Sequence, residues 1–225
     1  MAGPIASKII LPDDSGNTGK KIRSQTRVIG ADTVHEHFFV PVREEAVLGV
    51  YRLGMAQVTI LAAAQNGTST GFLWFSVPVG TTGKKVRLRR LSVVSQHATA
   101  LATPTAPRLT VTRYTFTGTA SGASLTPVKV DATSAASVAD LRTAVTGMTV
   151  SLVGSIGTAP IVGAVTAVGA YSPTPVHIVD PTADEDEFIV LAAGEGIVTY
   201  QDTAGTTSDT RVANIILLWD DIDTA

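Results

Sequence analysis

The segment from Lys85 to Ser95 reads KVRLRRLSVVS. Successive side chains of an extended chain point to opposite faces, so Val86 and Leu88 lie on the face opposite Arg87. A strand with one apolar and one polar face is typical of an antiparallel sheet that packs on a core and meets water on its other side. The segment therefore predicts a strand in a sheet of this kind.

Similar runs recur along the chain at a spacing of about 10 residues and are separated by Gly, Pro and Asn. The predicted strands are 33–40, 47–53, 57–62, 72–79, 85–95, 108–116, 148–153, 161–168, 176–179, 188–192, 196–201 and 212–219. This spacing is typical of a β-sandwich or barrel. One segment, AASVADLRTA at 135–144, predicts a short helix, and the Gly194-Glu195-Gly196 step between two strands predicts a tight turn.

The composition also favours an all-β chain. Hydrophobic residues make up 44% of the sequence and charged residues 16%, so a large core is available. Thr and Val are frequent, and their branched Cβ atoms suit a pleated strand better than a helix. The chain has no cysteine, which excludes disulfides and thiolate metal sites.

The N-terminal part predicts an extended arm, because residues 1–31 are too polar to order themselves. We expect an arm with the first strand over residues 1–45 and a β-sandwich domain over 46–225. The arm has an apolar group and a basic group with few partners of their own, so we expect both to contact other subunits. These expected assembly contacts are Ile9, Ile10, Leu11, Lys20, Lys21, Arg23 and Arg27.

Charge is unevenly distributed along a chain whose net charge is −2. The first 120 residues are basic and the remainder is acidic. One interpretation is that the two halves interleave within one subunit. The other is that a basic and an acidic surface meet between subunits, where complementary potentials would set the register.

His35 and His37 are the candidate metal ligands. Two residues apart on a strand, they share a face. Two imidazoles do not fill a coordination sphere by themselves, although three such pairs on a three-fold axis would supply six nitrogens. The alternative is an ordinary polar strand face or a subunit contact, so no metal or other cofactor is predicted.

Other charged groups are given simple interpretations. The acidic run at 180–187 predicts a solvated loop before a strand, and Asp220, Asp221 and Asp223 predict a charged end to the last strand that discourages edge pairing. The basic group at 84–90 predicts a patch that faces an acidic protein partner. Aromatic residues are only 5% of the chain, so nucleic-acid binding is not predicted.

The sequence also lacks the signatures of an enzyme or a membrane protein. It has no P-loop, strand-linked glycine fingerprint, H-E-x-x-H or G-x-S-x-G motif. We expect no signal peptide and no membrane span, because no basic region precedes a long apolar stretch and no run of about 18 apolar residues occurs. We therefore expect a non-enzymatic protein.

Three stretches carry a resemblance to known proteins. They are GKKIRSQTRVIGADTVHEHFFVP at 19–41, LRRLSVVSQHATALATPTAPRLTVTRYTFTGTASGA at 88–123 and LAAGEGIVTYQDTAGTTSDTRVANIILLWDD at 191–221. In their wording of residues and in their order along the chain, they resemble small structural proteins of tailed bacteriophages. These proteins are of the capsid decoration, neck or tail accessory type. The resemblance implies a jelly-roll-like antiparallel β-sandwich with an extended N-terminal arm, and it transfers no catalytic or ligand residue.

The function implied is a virion structural protein that decorates or stabilises the particle. We expect a homo-oligomer, with a trimer favoured, that binds capsid, neck or tail subunits in a virion assembled in the host bacterial cytoplasm. The alternative is a receptor- or carbohydrate-binding module at the tail tip. Lectin-like sites combine aromatic platforms with Asp or Asn, and the aromatic candidates for such a site are Trp74, Tyr171 and Tyr200.

Overall fold

The computed structural model describes residues 23–29, 32–38, 45–96, 107–161, 175–179, 188–205 and 212–224. The chain divides into two compact units, residues 1–44 and residues 45–225. The described part contains strands, turns and irregular segments but no helix, and so holds no helix that could cross a bilayer.

In the first unit, β1 (Arg23–Ile29) pairs with β2 (Asp32–Phe38) as an antiparallel hairpin. The register runs from Arg23 opposite Phe38 to Ile29 opposite Asp32. We expected an extended arm as far as residue 31, whereas its described portion is a strand. The two strands are separated by only two residues in the sequence, and a connection of this length suits antiparallel pairing.

The described residues of the second unit form twelve strands. They are β3 (Glu45–Thr59), β4 (Leu73–Ser76), β5 (Lys84–Gln96), β6 (Arg108–Ser121), β7 (Ser124–Leu125), β8 (Val128–Lys129), β9 (Asp140–Arg142), β10 (Thr146–Pro160), β11 (Val176–Val179), β12 (Ile189–Leu191), β13 (Glu195–Gln201) and β14 (Val212–Thr224). The predicted strand 33–40 overlaps β2, and the others in the described residues overlap strands of this unit, with 47–53 and 57–62 both falling in β3. The prediction at 161–168 lies largely outside the described residues.

The strands form two antiparallel sheets that pack face to face. Sheet I has the order β11-β5-β14-β3-β8, with β12 also pairing with β5, and sheet II has the order β10-β6-β13-β4-β9-β7. Strands β3 to β6 alternate between the sheets, and the chain alternates again from β10 onward if β11 and β12, which both pair with β5, are taken together. The last strand, β14, lies beside the first, β3. This order, with β7–β9 as an insertion, is that of a jelly roll, so the predicted fold class is confirmed.

The main core lies between the two sheets. Along β5, Val86, Leu88, Leu91 and Val93 are buried in it, which confirms the alternation that the sequence predicts. The spacing changes between Leu88 and Leu91 because Arg89 is an extra residue, with Leu88 opposite Trp219 and Arg90 opposite Leu218. A bulge of this kind turns side chains of one strand without breaking its pairing.

The predicted helix at 135–144 is wrong. Residues 135–139 are irregular and 140–142 form β9, which pairs with β4 on one side and β7 on the other. The buried carboxylate of Asp221 accepts hydrogen bonds from Val138 N (2.7 Å) and Ser137 Oγ (3.0 Å). These bonds stabilise the irregular conformation of the segment. Tertiary contacts here override a weak helix propensity.

Candidate functional site

Strand β10 forms an edge of sheet II and pairs only with β6 among the described strands. Its fifteen residues, TGMTVSLVGSIGTAP, include no charged side chain. Long sheet edges are commonly protected from unwanted pairing by Lys, Pro or bulges. Three bulges interrupt the pairing of β10 with β6, but Met148 to Leu152 pairs residue for residue. This run is an uncharged and regular edge.

Two neighbouring apolar side chains on β10 are exposed. Leu152 is 39% exposed and Val153 is 63% exposed. Leu152 lies opposite Tyr114 and Gly154 lies opposite Arg113, so Val153 is the extra residue of a bulge. An apolar side chain is therefore presented to solvent at the point where the regular run of the edge ends.

A charged cluster is buried on the face of sheet I that points away from the core. Asp220 is fully buried, and its Oδ2 accepts hydrogen bonds from Arg87 Nε (3.1 Å), Arg87 Nη2 (2.7 Å) and Arg89 Nε (2.6 Å). The bulge at Arg89 puts this second guanidinium within reach of the same carboxylate. Such charge-assisted bonds compensate the charges for the loss of water.

Asp221, the next residue of β14, serves the opposite side of the strand. Its carboxylate holds the segment before β9 through Ser137 and Val138, and Ser137 Oγ also accepts from Trp219 Nε1 at 3.0 Å. Burial raises the pKa of the Asp221 carboxyl above its ordinary value, although the hydrogen bonds from Val138 and Ser137 act in the other direction. This residue fastens the insertion to the central strand.

A serine and a histidine meet at the edge of the same sheet. Ser92 Oγ lies 2.8 Å from His177 Nδ1, and Arg90 Nε donates to Ser92 Oγ at 2.9 Å. The Ser92 hydroxyl is fully buried. No carboxylate hydrogen-bonds to His177 among the described residues, so this trio lacks the orienting acid of a hydrolytic triad.

A second cluster of aromatic residues lies on the face of sheet II that points away from the core. Trp74, Tyr114, Phe116 and Val198 are buried there. The ring of Tyr114 lies 5.4 Å from that of Trp74 and 5.8 Å from that of Phe116. Burial raises the pKa of Tyr114, and the charge of Asp140 adds to the shift. Trp74 is only 2% exposed, so it offers no platform for a ligand.

A cavity of about 420 Å³ opens beside this aromatic cluster. It lies beyond the first residue of β13. The last residues of β6 extend past Gly194 and have no β13 residue beside them, which leaves space for the cavity. The chain then turns at Gly122 and returns as β7 to pair with β9, closing the far wall. Positive φ angles at Gly118 and Gly122 make this path possible, and a Cβ at Gly122 would collide with the carbonyl oxygen of Ala144.

The cavity is lined by both apolar and polar groups. Phe116, Pro78 and Val79 supply apolar surface, while Ser76, Asp140 and Arg142 supply polar groups. Arg142 Nε donates to Asp140 Oδ2 at 2.7 Å and Arg142 Nη1 donates to Gly122 O at 3.0 Å. Asp140 Oδ1 and Arg142 Nη2 make no hydrogen bond to a described residue. They remain available to a ligand.

The site residues expected from the sequence are placed only in part. Arg23 and Arg27 lie in β1, opposite Phe38 and Val34. His35 and His37 lie in β2, opposite Thr26 and Ser24. Outside the described residues lie Ile9, Ile10, Leu11, Lys20, Lys21, Tyr171 and the acidic run at 180–187. In the part of the chain that the structure describes, no group of three or more potential metal ligands comes together.

Two interpretations of charged groups are wrong. Asp220 and Asp221 do not form a charged end to an edge strand, because β14 is a central strand and both carboxylates are buried. Arg87 does not belong to a partner-facing patch, because it is 5% exposed and pairs with Asp220. Both misreadings have one cause, since the pairing of β5 with β14 joins residues more than 130 positions apart.

Ion pairs also join the basic first half of the chain to the acidic second half. Arg87 pairs with Asp220, Arg108 with Asp202 and Arg113 with Glu195. This observation supports interleaving of the two halves within one subunit. Glu195 also belongs to the turn predicted at Gly194, in which Glu195 N donates to Ala192 O at 3.0 Å, so that prediction is confirmed.

The cavity residues were not predicted from the sequence. The pattern Asp140-Leu141-Arg142 places two charged side chains on one face if the segment is a strand, whereas its composition predicts a helix. Ser76 carried no signal. The cavity depends on β9 pairing with β4, a contact that a local pattern does not encode.

In the described residues, these features define a disulfide-free jelly-roll β-sandwich with an uncharged sheet edge at β10 and a small cavity beside β9. Comparison of the chain with protein-family models, with curated proteins and with solved structures finds no match.

Proposed function

We propose that this protein is a structural subunit of a tailed bacteriophage virion, where it decorates or stabilises the particle as a capsid decoration, neck or tail accessory protein. The particle is suggested by the resemblance of the three sequence stretches. Jelly rolls also occur in lectins and cupins, so the fold alone does not give the function.

The observation that carries the proposal is the uncharged edge strand β10 with its exposed Leu152 and Val153. An open edge offers backbone N–H and C=O groups to a strand of another protein, and apolar side chains beside it add buried area. An assembly subunit uses such an edge, whereas a monomeric protein needs to protect it. Closed symmetry would repeat the contact, and a homo-trimer is the oligomer that we favour.

A lysine at the edge tests this proposal. Val153→Lys places a charge beside the regular run of β10, which is the usual way of blocking edge pairing. We expect this variant to sediment as smaller species than the native chain and to be absent from virions produced in a phage whose own copy of the gene is deleted. Sedimentation and immunoblotting of purified particles measure the two effects.

Val130→Lys is the matched control. Val130 is 58% exposed and follows β8 at the edge of sheet I, so it has nearly the exposure of Val153 without lying on β10. We expect this variant to assemble normally. Normal incorporation of Val153→Lys would exclude β10 as the assembly edge, and absence of the native chain from virions would exclude the virion function.

The receptor- or carbohydrate-binding alternative loses the aromatic platform expected at Trp74, which is buried. Tyr200 is partly buried against the same cluster. No exposed aromatic platform beside an acidic loop is found in the described residues, so the assembly function is preferred.

A further inference from the structure

We infer that the cavity beside β9 is a binding site for a neutral polyhydroxylated ligand, namely a saccharide unit. The inference goes beyond the proposed assembly function, because it concerns a small ligand held by Asp140 and Arg142 on β9, whereas the assembly edge is β10. The two regions adjoin, since Phe116 and Gly118 of β6 line the cavity and pair with β10. Its volume of about 420 Å³ falls within the range of roughly 300–1,000 Å³ that small-molecule sites occupy.

The charges in the cavity select against an ionic ligand. Asp140 and Arg142 are 2.7 Å apart and about one fifth exposed, so each compensates the other. An anion would meet the carboxylate of Asp140, and a cation would meet the guanidinium of Arg142. A neutral ligand avoids both repulsions.

The free atoms of the same pair suit hydroxyl groups. Asp140 Oδ1 is an acceptor and Arg142 Nη2 is a donor, and neither is used by a described residue. A hydroxyl donates one hydrogen bond and accepts others, so two neighbouring hydroxyls of one ligand satisfy the carboxylate and the guanidinium together. Bonds to charged partners are the stronger kind of hydrogen bond.

The apolar wall suits the carbon face of a sugar ring. Pro78 and Val79 supply the accessible apolar surface of the cavity, with Val79 52% exposed, whereas Phe116 is largely buried. Small-molecule sites combine such apolar lining with a few placed polar groups. The Ser76 hydroxyl, on the β4 residue directly opposite Asp140, adds a further polar group.

The site is fixed by the backbone. Asp140 and Arg142 lie on β9, which pairs with β4 on one side and β7 on the other. The Arg142 side chain is further held by Gly122 O. Groups held on paired strands are positioned before the ligand arrives, which lowers the entropy that binding has to overcome.

Saturation-transfer NMR on the full-length chain tests the inference. The probes are glucose, galactose, mannose, rhamnose and N-acetylglucosamine at millimolar concentration, with glucuronate and glucosamine as charged analogues. We expect saturation transfer to at least one neutral sugar and weaker transfer to the charged analogues. Transfer to none of the neutral sugars, or preference for a charged one, would overturn the inference.

Variants locate the binding. Arg142→Gln removes the donor to the ligand, and we expect it to weaken binding at least about tenfold, the loss of one charge-assisted hydrogen bond. Thr119→Trp fills the rim from an exposed position and leaves the Asp140–Arg142 pair intact, so it tests the cavity if Arg142→Gln proves unstable. Asp202→Asn, which removes the carboxylate of another ion pair, is the control that should bind sugar normally.

The possible results separate this inference from the proposed function. If sugar binds equally well to the native chain and to both cavity variants, the site lies elsewhere and the inference is wrong. A Thr119→Trp variant that fails to bind sugar but still joins the virion would support both proposals. Loss of assembly in Val153→Lys with normal sugar binding would support their independence.

Discussion

Asp220 is fully buried and accepts three hydrogen bonds from two arginines on one oxygen, so its stability contribution depends on keeping every charge compensated. Removing one partner of a buried ion pair is costly because the other charge stays in a medium that solvates it poorly. The side chain of Arg87 is 7% exposed and would be left in that condition.

We therefore predict that Asp220→Asn lowers the free energy of unfolding by about 3–5 kcal/mol. The control is Asp202→Asn, because the side chains of Asp202 and its partner Arg108 are 22% and 54% exposed, and Asn keeps an oxygen that can accept from Thr110 or Thr203. An exposed pair contributes about 0–1 kcal/mol, so the control should lose far less. Urea unfolding of both variants measures the difference, and equal losses would contradict the prediction.

Asp221 gives a pH-dependent prediction. Burial raises its pKa above the ordinary value of 3.8, a shift that Asp220 increases and Lys84 reduces. The folded chain therefore binds this proton more tightly than the unfolded chain does, and the contribution of Asp221 to stability falls as the pH rises through the raised pKa. Asn cannot titrate, so the stability of Asp221→Asn relative to the native chain should rise with pH across that window.

Asp131→Asn is the control of opposite sign. Hydrogen bonds from the backbone and side chain of Thr133 lower the pKa of the exposed Asp131 carboxyl. Its contribution is present above pH 3.8 and lost as the pH falls through the lowered pKa. The stability of Asp131→Asn relative to the native chain should therefore fall as the pH rises. Urea unfolding at several pH values, from below 3.8 to neutral, tests both slopes.

At the level of elements, period-two alternation was enough to predict most strands. In β5 it also predicted which side chains enter the core, because Val86 and Leu88 point inward. It failed at 135–144, where Ala, Leu and Arg favour a helix but pairing with β4 and the Asp221 carboxylate hold the chain extended. A local pattern contains no information about such distant partners.

The bulges were also beyond prediction from the sequence. Arg89 and Val153 differ little from their neighbours in the sequence, yet each is the extra residue of a bulge. One bulge brings a second arginine to a buried carboxylate, and the other presents an apolar side chain at a sheet edge. Pairing with the neighbouring strand decides where each bulge lies. The sequence alone therefore did not predict the bulge at Arg89 or the bulge at Val153.

At the scale of the whole molecule, the all-β character followed from the sequence, but the exact set of strands and their order did not. Pairing of β14 with β3 and β5 makes Asp220 and Asp221 central instead of terminal. The same pairing explains how a chain with a basic half and an acidic half forms ion pairs within itself. In a jelly roll, strands that are far apart in the sequence pair with one another. No local segment of the sequence predicts which strands these are.

The division of the chain at residue 45 gives a prediction about independent folding. All residues of the main core lie at position 51 or later, and strands β3 to β14 pair only with one another in the described structure. We therefore expect residues 45–225 to fold alone, with a cooperative thermal transition in circular dichroism. Deletion of residues 1–31, the whole expected arm, would remove β1 and leave β2 without its partner, so it is a poor test of the arm.

Deletion of residues 1–22 is the better test, because it removes Ile9, Ile10, Leu11, Lys20 and Lys21 and leaves both hairpin strands in the chain. If these five residues are assembly contacts, the truncated protein should fold with the native thermal transition and yet be missing from purified virions, as judged by immunoblotting. Restoring residues 1–22 with the three apolar residues changed to Ser separates the apolar group from the basic group, because apolar burial contributes more than exposed charge pairs. Normal incorporation of the 1–22 deletion would remove these five residues from the assembly mechanism and leave Arg23, Arg27 and β10 as its proposed contacts.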